Sequence, residues 1–404
     1  MDDHRPRIEE RDLVGFKYFK KILPMLDRLH GHNTERDRAH NRTLHYDQHI
    51  ALILLYLFNP IASSLRAIVQ VSELKKVQRT LGCARASLGS LSEAHRVFDS
   101  SLLLAIIAEL AADLKPMKHD ARLDEVGGIL TLVDGTLLTA LPKLVKAMWL
   151  DEDHPAFKLH THFELLAGVP ASVGLTDGND SEWKNLAARL LAGRVYVMDR
   201  GYACFELFKL ILQAMSSFVC RVRDNSVYEL IEQRVITPEA AKAGIVSDRI
   251  VYLGHQTADH RVTRPLRLIE IQVTPHRKRI HGARGGPEQS QVLLICTDLL
   301  DLPAKVIALI YQQRWSIEIF FRFFKHVLGC RHLLAHNNNG IEIQTYCAII
   351  ACLLIALWTG RKPTLRTYEM ICYYFMGWAD EEELDRHLAR LRETRLGEAE
   401  KTNV

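Results

Sequence analysis

Two short apolar runs, Gly128-Ile-Leu-Thr-Leu-Val-Asp134-Gly and Arg194-Val-Tyr-Val-Met-Asp199-Arg-Gly, each close on an aspartate with a glycine just behind it. Runs of this length, bounded by turn residues, read as buried strands. Each places its aspartate at the carboxyl end of a strand, the edge where α/β folds bind their ligands. The pair points to a sheet core with two carboxylates on one rim. Strand-terminal aspartates also serve simply as turn caps, and two alone do not choose between these readings.

The surrounding pattern is mixed. Phe157–Leu166 and Val169–Leu175 read as strands joined around Gly168, Glu182–Leu191 and Cys204–Met215 as helices, and Ser217–Val222 as a strand. From Asp224 to about Gln289 the chain is rich in Arg, Thr, Val and Gly, with alternating segments such as Leu266-Arg-Leu-Ile-Glu-Ile-Gln-Val, and reads as a β-rich insertion. It ends in a basic loop, His276-Arg-Lys-Arg-Ile-His-Gly-Ala-Arg284, before a returning strand at Gln291–Thr297. Pro303 to about Val327 predicts one unbroken helix. Glu10 to about Leu114 is helical in pattern, with Leu52–Phe58 and Ser100–Leu110 as its most apolar stretches. Ser90 and Glu93 have capping-box spacing, with Ser92 as the alternative cap. Beyond Gly340 the chain is again helical, and Glu381–Thr402 is a charged, solvated end. The expected fold class is α/β, divided into a helical N-terminal region over 1–122, a core over 123–223 and 291–339, the β-rich insertion over 224–290 and a helical region over 340–404.

At 404 residues the chain exceeds one ordinary core, and 48% hydrophobic with 25% charged residues is the balance of a globular protein. The formal charge of +4 is compatible with nucleic acid and does not argue for it. The polar start, Met1-Asp-Asp-His-Arg, offers no secretory h-region. The most apolar runs, His49–Ala62 and Cys347–Trp358, fall short of the roughly 20 residues of a spanning helix, so no membrane is expected. Eight cysteines without a C-x-x-C pair fit a reducing, cytoplasmic compartment.

A third carboxylate lies in Tyr311-Gln-Gln-Arg314-Trp-Ser-Ile-Glu318-Ile-Phe-Phe-Arg-Phe-Phe-Lys325. At about 100° per residue, Tyr311, Arg314, Glu318 and Lys325 fall within a stripe about 60° wide. Ile317, Phe320, Phe321, Phe324 and Leu328 fall on another face. Such a helix buries one side and presents a carboxylate flanked by cations, which suits a site where metal and phosphate meet. The plain alternative is an i, i+4 ion pair on a solvated face.

Taken together, Tyr311-x2-Arg314-x3-Glu318-x6-Lys325, Val133-Asp134-Gly-Thr and Met198-Asp199-Arg-Gly-Tyr202 resemble the Y-R-E-K and acidic motifs of prokaryotic insertion-sequence DDE transposases, the insertion sequence four family. The β-rich stretch sits where that family inserts a β domain before its catalytic helix. The resemblance covers roughly Gly128 to Asn339 and is weaker over the N-terminal helices. It implies an RNase H-like core and Mg²⁺-dependent hydrolysis followed by strand transfer, with Mn²⁺ as a substitute. Asp134, Asp199 and Glu318 would bind two metal ions. Tyr311, Arg314 and Lys325 would hold DNA phosphates, with Arg200 and Tyr202 as further contacts. The implied partners are double-stranded DNA, as terminal inverted repeats and target, and a second copy of the chain across paired ends. The alternatives are a structure-specific nuclease on the same core and a non-catalytic DNA-binding relative.

Other candidates are weaker. His160 and His162 share one face of a strand and either approach the site or pack. Cys330, His332 and His336 lack a fourth zinc ligand nearby. Trp315 either packs or stacks on a base. Lys17, Lys20, Lys21 and Arg28 either meet DNA or form a solvated face. The denser cluster Arg277, Lys278, Arg279 and Arg284 is expected to contact DNA.

Overall fold

The alternation read from sequence gathers nine strands, among the described residues, into one mixed sheet of order β3-β2-β1-β4-β5-β9-β8-β7-β6. The computed structural model describes residues 22–32, 43–59, 61–114, 120–137, 157–177, 180–255, 257, 261–273, 291–329, 334–335, 337–360 and 362–390. The strands are β1 (Ile129–Leu137), β2 (Phe157–Glu164), β3 (Val169–Asp177), β4 (Arg194–Met198), β5 (Ser217–Arg221), β6 (Tyr228–Gln233), β7 (Ile245–Leu253), β8 (Leu266–Val273) and β9 (Gln291–Thr297). β1, β2 and β3 form an antiparallel meander, and β4 and β5 continue from β1 as parallel strands. The turn from β2 to β3 passes through Gly168 at φ +70, where a side chain is strained.

The pleat gives the sheet two buried faces. Leu130, Leu132, Leu159, Val195, Val197, Val219 and Ile269 point into the larger core, which continues into the helices. Tyr196, Met198, Phe218, Cys220, Leu268 and Cys296 form the second core. Beside the second core lie two helices, α7 (Glu182–Ala187) and α8 (Phe205–Gln213).

Before the sheet come α1 (Leu23–Asp27), α2 (Tyr46–Phe58), α3 (Leu65–Ser72), α4 (Lys75–Leu81), α5 (Leu88–Val97) and α6 (Leu102–Ala112). Neither Ser90 nor Ser92 caps α5. Ser87, in extended backbone, accepts from the Ser90 N–H, so the helix starts earlier than the capping-box spacing suggests. The cores of the N-terminal and C-terminal helices are continuous: α12 (Asn338–Thr359) packs on α2, α5, α6 and β3. By length and apolarity alone α12, longer than the Cys347–Trp358 run read from sequence, is sufficient to cross a membrane, but 89% of its apolar window is buried inside the protein. The last helix with described ends is α13 (Leu365–Phe375).

The β-rich insertion does not form its own sheet. Its strands β6, β7 and β8 join the core sheet through the antiparallel ladder between β8 and β9, with α9 (Pro238–Lys242) between β6 and β7. Arg267 on β8 pairs with Asp248 on β7 at 2.7 Å, both nearly fully buried. Arg267 also donates to the Leu300 and Leu302 carbonyls, which ties the insertion to the chain leading into the next helix.

That next helix is not the single rod expected from the sequence. It is α10 (Ala304–Gln312) followed by α11 (Trp315–Gly329), with a turn at Gln313 and Arg314. The backbone tightens there into i−3 bonds, Arg314 N–H to the Tyr311 carbonyl and Ser316 N–H to that of Gln313. Both halves stay anchored: Ile307 and Ile310 from α10, and Ile317, Phe320, Phe324 and Val327 from α11, are buried in the larger core. Phe320 packs on Phe163 of β2 with ring centroids 5.4 Å apart. Phe324 is fully buried, so Phe324→Ala should destabilise the protein by about 3–5 kcal/mol. Urea denaturation measures this, and a loss below about 1 kcal/mol would show that the helix is not anchored through this ring.

Candidate active site

The parallel ladder between β1 and β4 sets the site. Leu132 pairs with Val197, so Asp134 and Asp199, each two residues further on, emerge side by side on the same face of the sheet. Strands lie about 4.8 Å apart, so the two carboxylates are neighbours. β1 itself runs on to Leu137 because β2 still pairs with it, so Asp134 is not at its end. It lies instead where the partner β4 stops. One oxygen of Asp134 accepts from the Gly135 N–H at 2.8 Å, and one of Asp199 accepts from the Gly201 N–H at 2.8 Å. Asp199 thereby caps the single 3₁₀ turn Arg200–Tyr202.

The third carboxylate arrives from the helix. Glu318 lies in the first turn of α11, which packs against β1. Arg314, at the break, reaches both sides: its guanidinium sits 2.6 Å from Glu318 Oε1 and 3.7 Å from Asp134 Oδ2. The i, i+4 pair considered from sequence therefore exists, but inside the site, with the Arg314 side chain only 14% exposed. Burial pushes the Asp134 carboxyl up to about 7, and the Asp199 and Glu182 carboxylates add to it, against the pull of Arg314 and the Gly135 N–H.

The rest of the signature closes around the same point. Burial pushes Tyr311 up to about 12, while the nearby Arg314 and Arg221 cations lower it. Burial lowers Lys325, and the Asp134 carboxylate opposes that shift. So Tyr311, Arg314 and Lys325 all lie within charge range of the acidic cluster despite the helix break. Trp315 is 44% exposed, with the Arg314 guanidinium 5.5 Å from its ring centre. Trp315 and Tyr311 line a cavity of about 990 Å³ together with Ile271 and Val273 of β8 and Leu293 of β9.

Several expectations change. Arg200 is exposed as a DNA contact would be, but Tyr202 is fully buried. The 3₁₀ turn directs Tyr202 into the second core, so it is corrected from a DNA contact to an interior residue. His160 and His162 are also interior. They lie on the sheet face opposite Asp134, whose partner on β2 is Thr161. Burial lowers them to about 4 and about 3, and His160 Nε2 lies 2.7 Å from Thr176 Oγ1. Arg28 pairs with Glu109. The basic loop Arg277, Lys278, Arg279 and Arg284 lies outside the described residues, as do Lys17, Lys20, Lys21 and the Cys330, His332, His336 group.

Three residues at this rim were not singled out from sequence: Glu182, Lys158 and Arg221. Arg221 ends β5, the next parallel strand, and could have been found by extending the strand-end logic from β4 to its neighbour. Glu182 and Lys158 carry no local signal, because only the fold brings β2 and α7 to this rim.

The donor set, three carboxylates on one rim, fits a hard divalent cation, which takes oxygen ligands. Among the described residues no three such side chains already converge on one point, since Arg314 lies between Asp134 and Glu318. A divalent ion held there would therefore compete with Arg314 for the same oxygens. Arg314→Met should lower the melting temperature in metal-free buffer and enlarge the stabilisation that added Mg²⁺ gives. Differential scanning fluorimetry reads both, and an unchanged Mg²⁺ response would contradict the competition.

Residues 127–354 match the family model for the transposase DDE domain. A Sinorhizobium fredii chain named as a transposase, y4zB, is 27% identical over 50% of this chain and 52% of its own length. The transposase named for insertion sequence element IS5377 of Geobacillus stearothermophilus is 26% identical over 56% of this chain and 55% of its own. That named for element IS4SA of a Synechocystis species is 25% identical over 67% and 71%. The chain thus spans about half the length of the first two relatives. A cryo-EM structure of a piggyBac transposase synaptic complex with hairpin DNA matches at 12% identity and a TM-score of 0.39, over 94% of this chain and 82% of that one, too distant a likeness to carry argument. The family match covers more than half of the chain and contains Asp134, Asp199, Glu318 and the whole Y-R-E-K stretch, and the protein belongs to the DDE-domain transposases.

Proposed function

We propose that this chain cleaves DNA at the terminal inverted repeats of an insertion sequence and joins the freed ends to target DNA. The observation that carries the reading is that Asp134 and Asp199 emerge side by side on one sheet face, with Arg314 reaching from Asp134 to Glu318. An antiparallel meander followed by two parallel strands, with the aspartates on the adjacent β1 and β4, supports an RNase H-like core. Two Mg²⁺ ions, or Mn²⁺ in their place, would supply activation of an attacking hydroxyl and stabilisation of the leaving oxygen. Asp134, Asp199 and Glu318 would hold them.

The remaining roles belong to the side chains. Arg314 offers a planar pair of donors suited to bidentate phosphate contact once it leaves the carboxylates. Lys325 adds a point charge on the same rim. Exposed Arg200 extends the basic edge beyond Asp199, and the loop with Arg277, Lys278, Arg279 and Arg284 is assigned to positioning of the DNA end. Paired element ends call for two copies of the chain acting together as a homodimer.

Asp134→Asn, Asp199→Asn and Glu318→Gln should each abolish end cleavage and strand transfer in Mg²⁺ while leaving gel-shift binding to element ends nearly unchanged. Near-normal turnover by any one of the three would remove it from the site. Cleavage by the unaltered protein without joining would instead favour a nuclease.

Arg314→Ala and Lys325→Ala should each reduce the slope of log affinity against log salt by about 0.9, one phosphate contact apiece. Slopes equal to that of the unaltered protein would return both residues to a purely internal electrostatic role.

A further inference from the structure

Glu182 belongs to no motif, yet it touches both turns that carry the paired aspartates. A methyl group placed on Gly135 would come 3.1 Å from Glu182 Oε1 and 3.2 Å from Lys158 Cδ. One placed on Gly201 would come 3.4 Å from Glu182 Oε2 and 3.1 Å from Asp199 Oδ1. The two carboxylate oxygens of Glu182 thus rest against two glycines, each of which donates its backbone N–H to a metal-site aspartate. At Gly135 a methyl group would crowd this carboxylate and the Lys158 chain, whereas at Gly201 it would meet Glu182 at ordinary contact and crowd Asp199 Oδ1 instead.

The carboxylate is held from two directions. Lys158 of β2 pairs with it at 3.1 Å, with the two side chains 15% and 26% exposed. Its own helix α7 is fixed by Leu186, buried in the second core beside Tyr202. Tyr202 supplies an independent observation. It is fully buried, and its hydroxyl finds no hydrogen-bond partner among the described residues. The charged groups within its range are Glu182, Asp134 and Asp199, with the Cys220 thiol beyond them. A buried phenol without a partner is costly unless it meets an acceptor, and the acceptors at hand are these carboxylates.

We propose that Glu182, clamped by Lys158, is a positioning residue that fixes the Asp134–Gly135 and Asp199–Gly201 turns at the separation divalent-ion binding requires. It acts through the two aspartates and is not itself a ligand, because its charge is already matched by Lys158. Groups in this outer layer orient metal ligands, and losing one typically lowers metal affinity by roughly 10–100-fold. The inference rests on the two-metal reading above, and its test separates the two.

Mn²⁺ binding to the full-length protein is measured by electron paramagnetic resonance, together with the melting temperature. Glu182→Gln keeps the shape and removes the charge; it should weaken Mn²⁺ binding about tenfold at an essentially unchanged melting temperature. Gly135→Ala, which removes no charge, should do the same by pushing the carboxylate away, and it decides the question if Glu182→Gln fails to fold. Lys158→Met should weaken binding as well, since it frees the clamp. Asp134→Asn is the reference and should lose binding outright. If Asp134→Asn binds Mn²⁺ like the unaltered protein, the two-metal reading fails and this inference with it. If Asp134→Asn loses Mn²⁺ while Glu182→Gln and Gly135→Ala keep it, only the positioning role is overturned. Stronger binding in Lys158→Met would also overturn it, in favour of Glu182 as a direct ligand.

Discussion

The repulsion between Asp134 and Asp199 is the constraint around which this structure is organised. Parallel pairing of β1 with β4 forces the two carboxylates onto one face of the sheet where β4 stops. Burial pushes Asp134 up to about 7, and the neighbouring Asp199 and Glu182 carboxylates add to the rise. The surrounding rim reads as an answer to it. Backbone N–H groups of Gly135 and Gly201 donate to the aspartates, Arg314 reaches one of them, and Lys325 lies within range. A fold that accepts this cost at one edge while burying apolar residues on both sheet faces is consistent with a site kept for chemistry.

The helix break lies at the same rim. The turn at Gln313 and Arg314 lets α10 and α11 each bury their own apolar side, Ile307 and Ile310 from one and Ile317, Phe320 and Phe324 from the other. Arg314 then projects from the corner toward both Asp134 and Glu318. Tyr311 and Trp315, on either side of the break, both line the cavity that the insertion strand β8 also lines.

What the sequence shows and what it conceals divide along the range of the interactions involved. The strands that carry Asp134 and lead to Asp199 are legible because a short apolar run closed by Asp and Gly is a local pattern, but the continuation of β1 to Leu137 depends on its pairing with β2. The burial of α11 is legible because its apolar residues keep helical period. The break at Gln313 and Arg314 is not, since neither residue is a helix breaker and the 3.6 period passes through it; tertiary packing of the two halves decides it. Tyr202 is misread because its neighbourhood to Asp199 is visible while the inward direction of the 3₁₀ turn is not. Glu182 and Lys158 are silent for a stronger reason: their meeting depends on β2, β1 and α7 assembling first. The β-rich composition of the insertion is plain in the sequence, but its membership in the core sheet is set by the non-local ladder between β8 and β9.

The central claim is that Asp134, Asp199 and Glu318 together hold two divalent ions. Anomalous diffraction from crystals of the protein with a DNA end, grown in Mn²⁺, tests it most directly. The account predicts two anomalous peaks roughly 4 Å apart, bounded by those three carboxylates, with the Arg314 guanidinium turned away from Asp134. No peak at this rim, or peaks ligated by other side chains while Arg314 keeps its bridge, would contradict it.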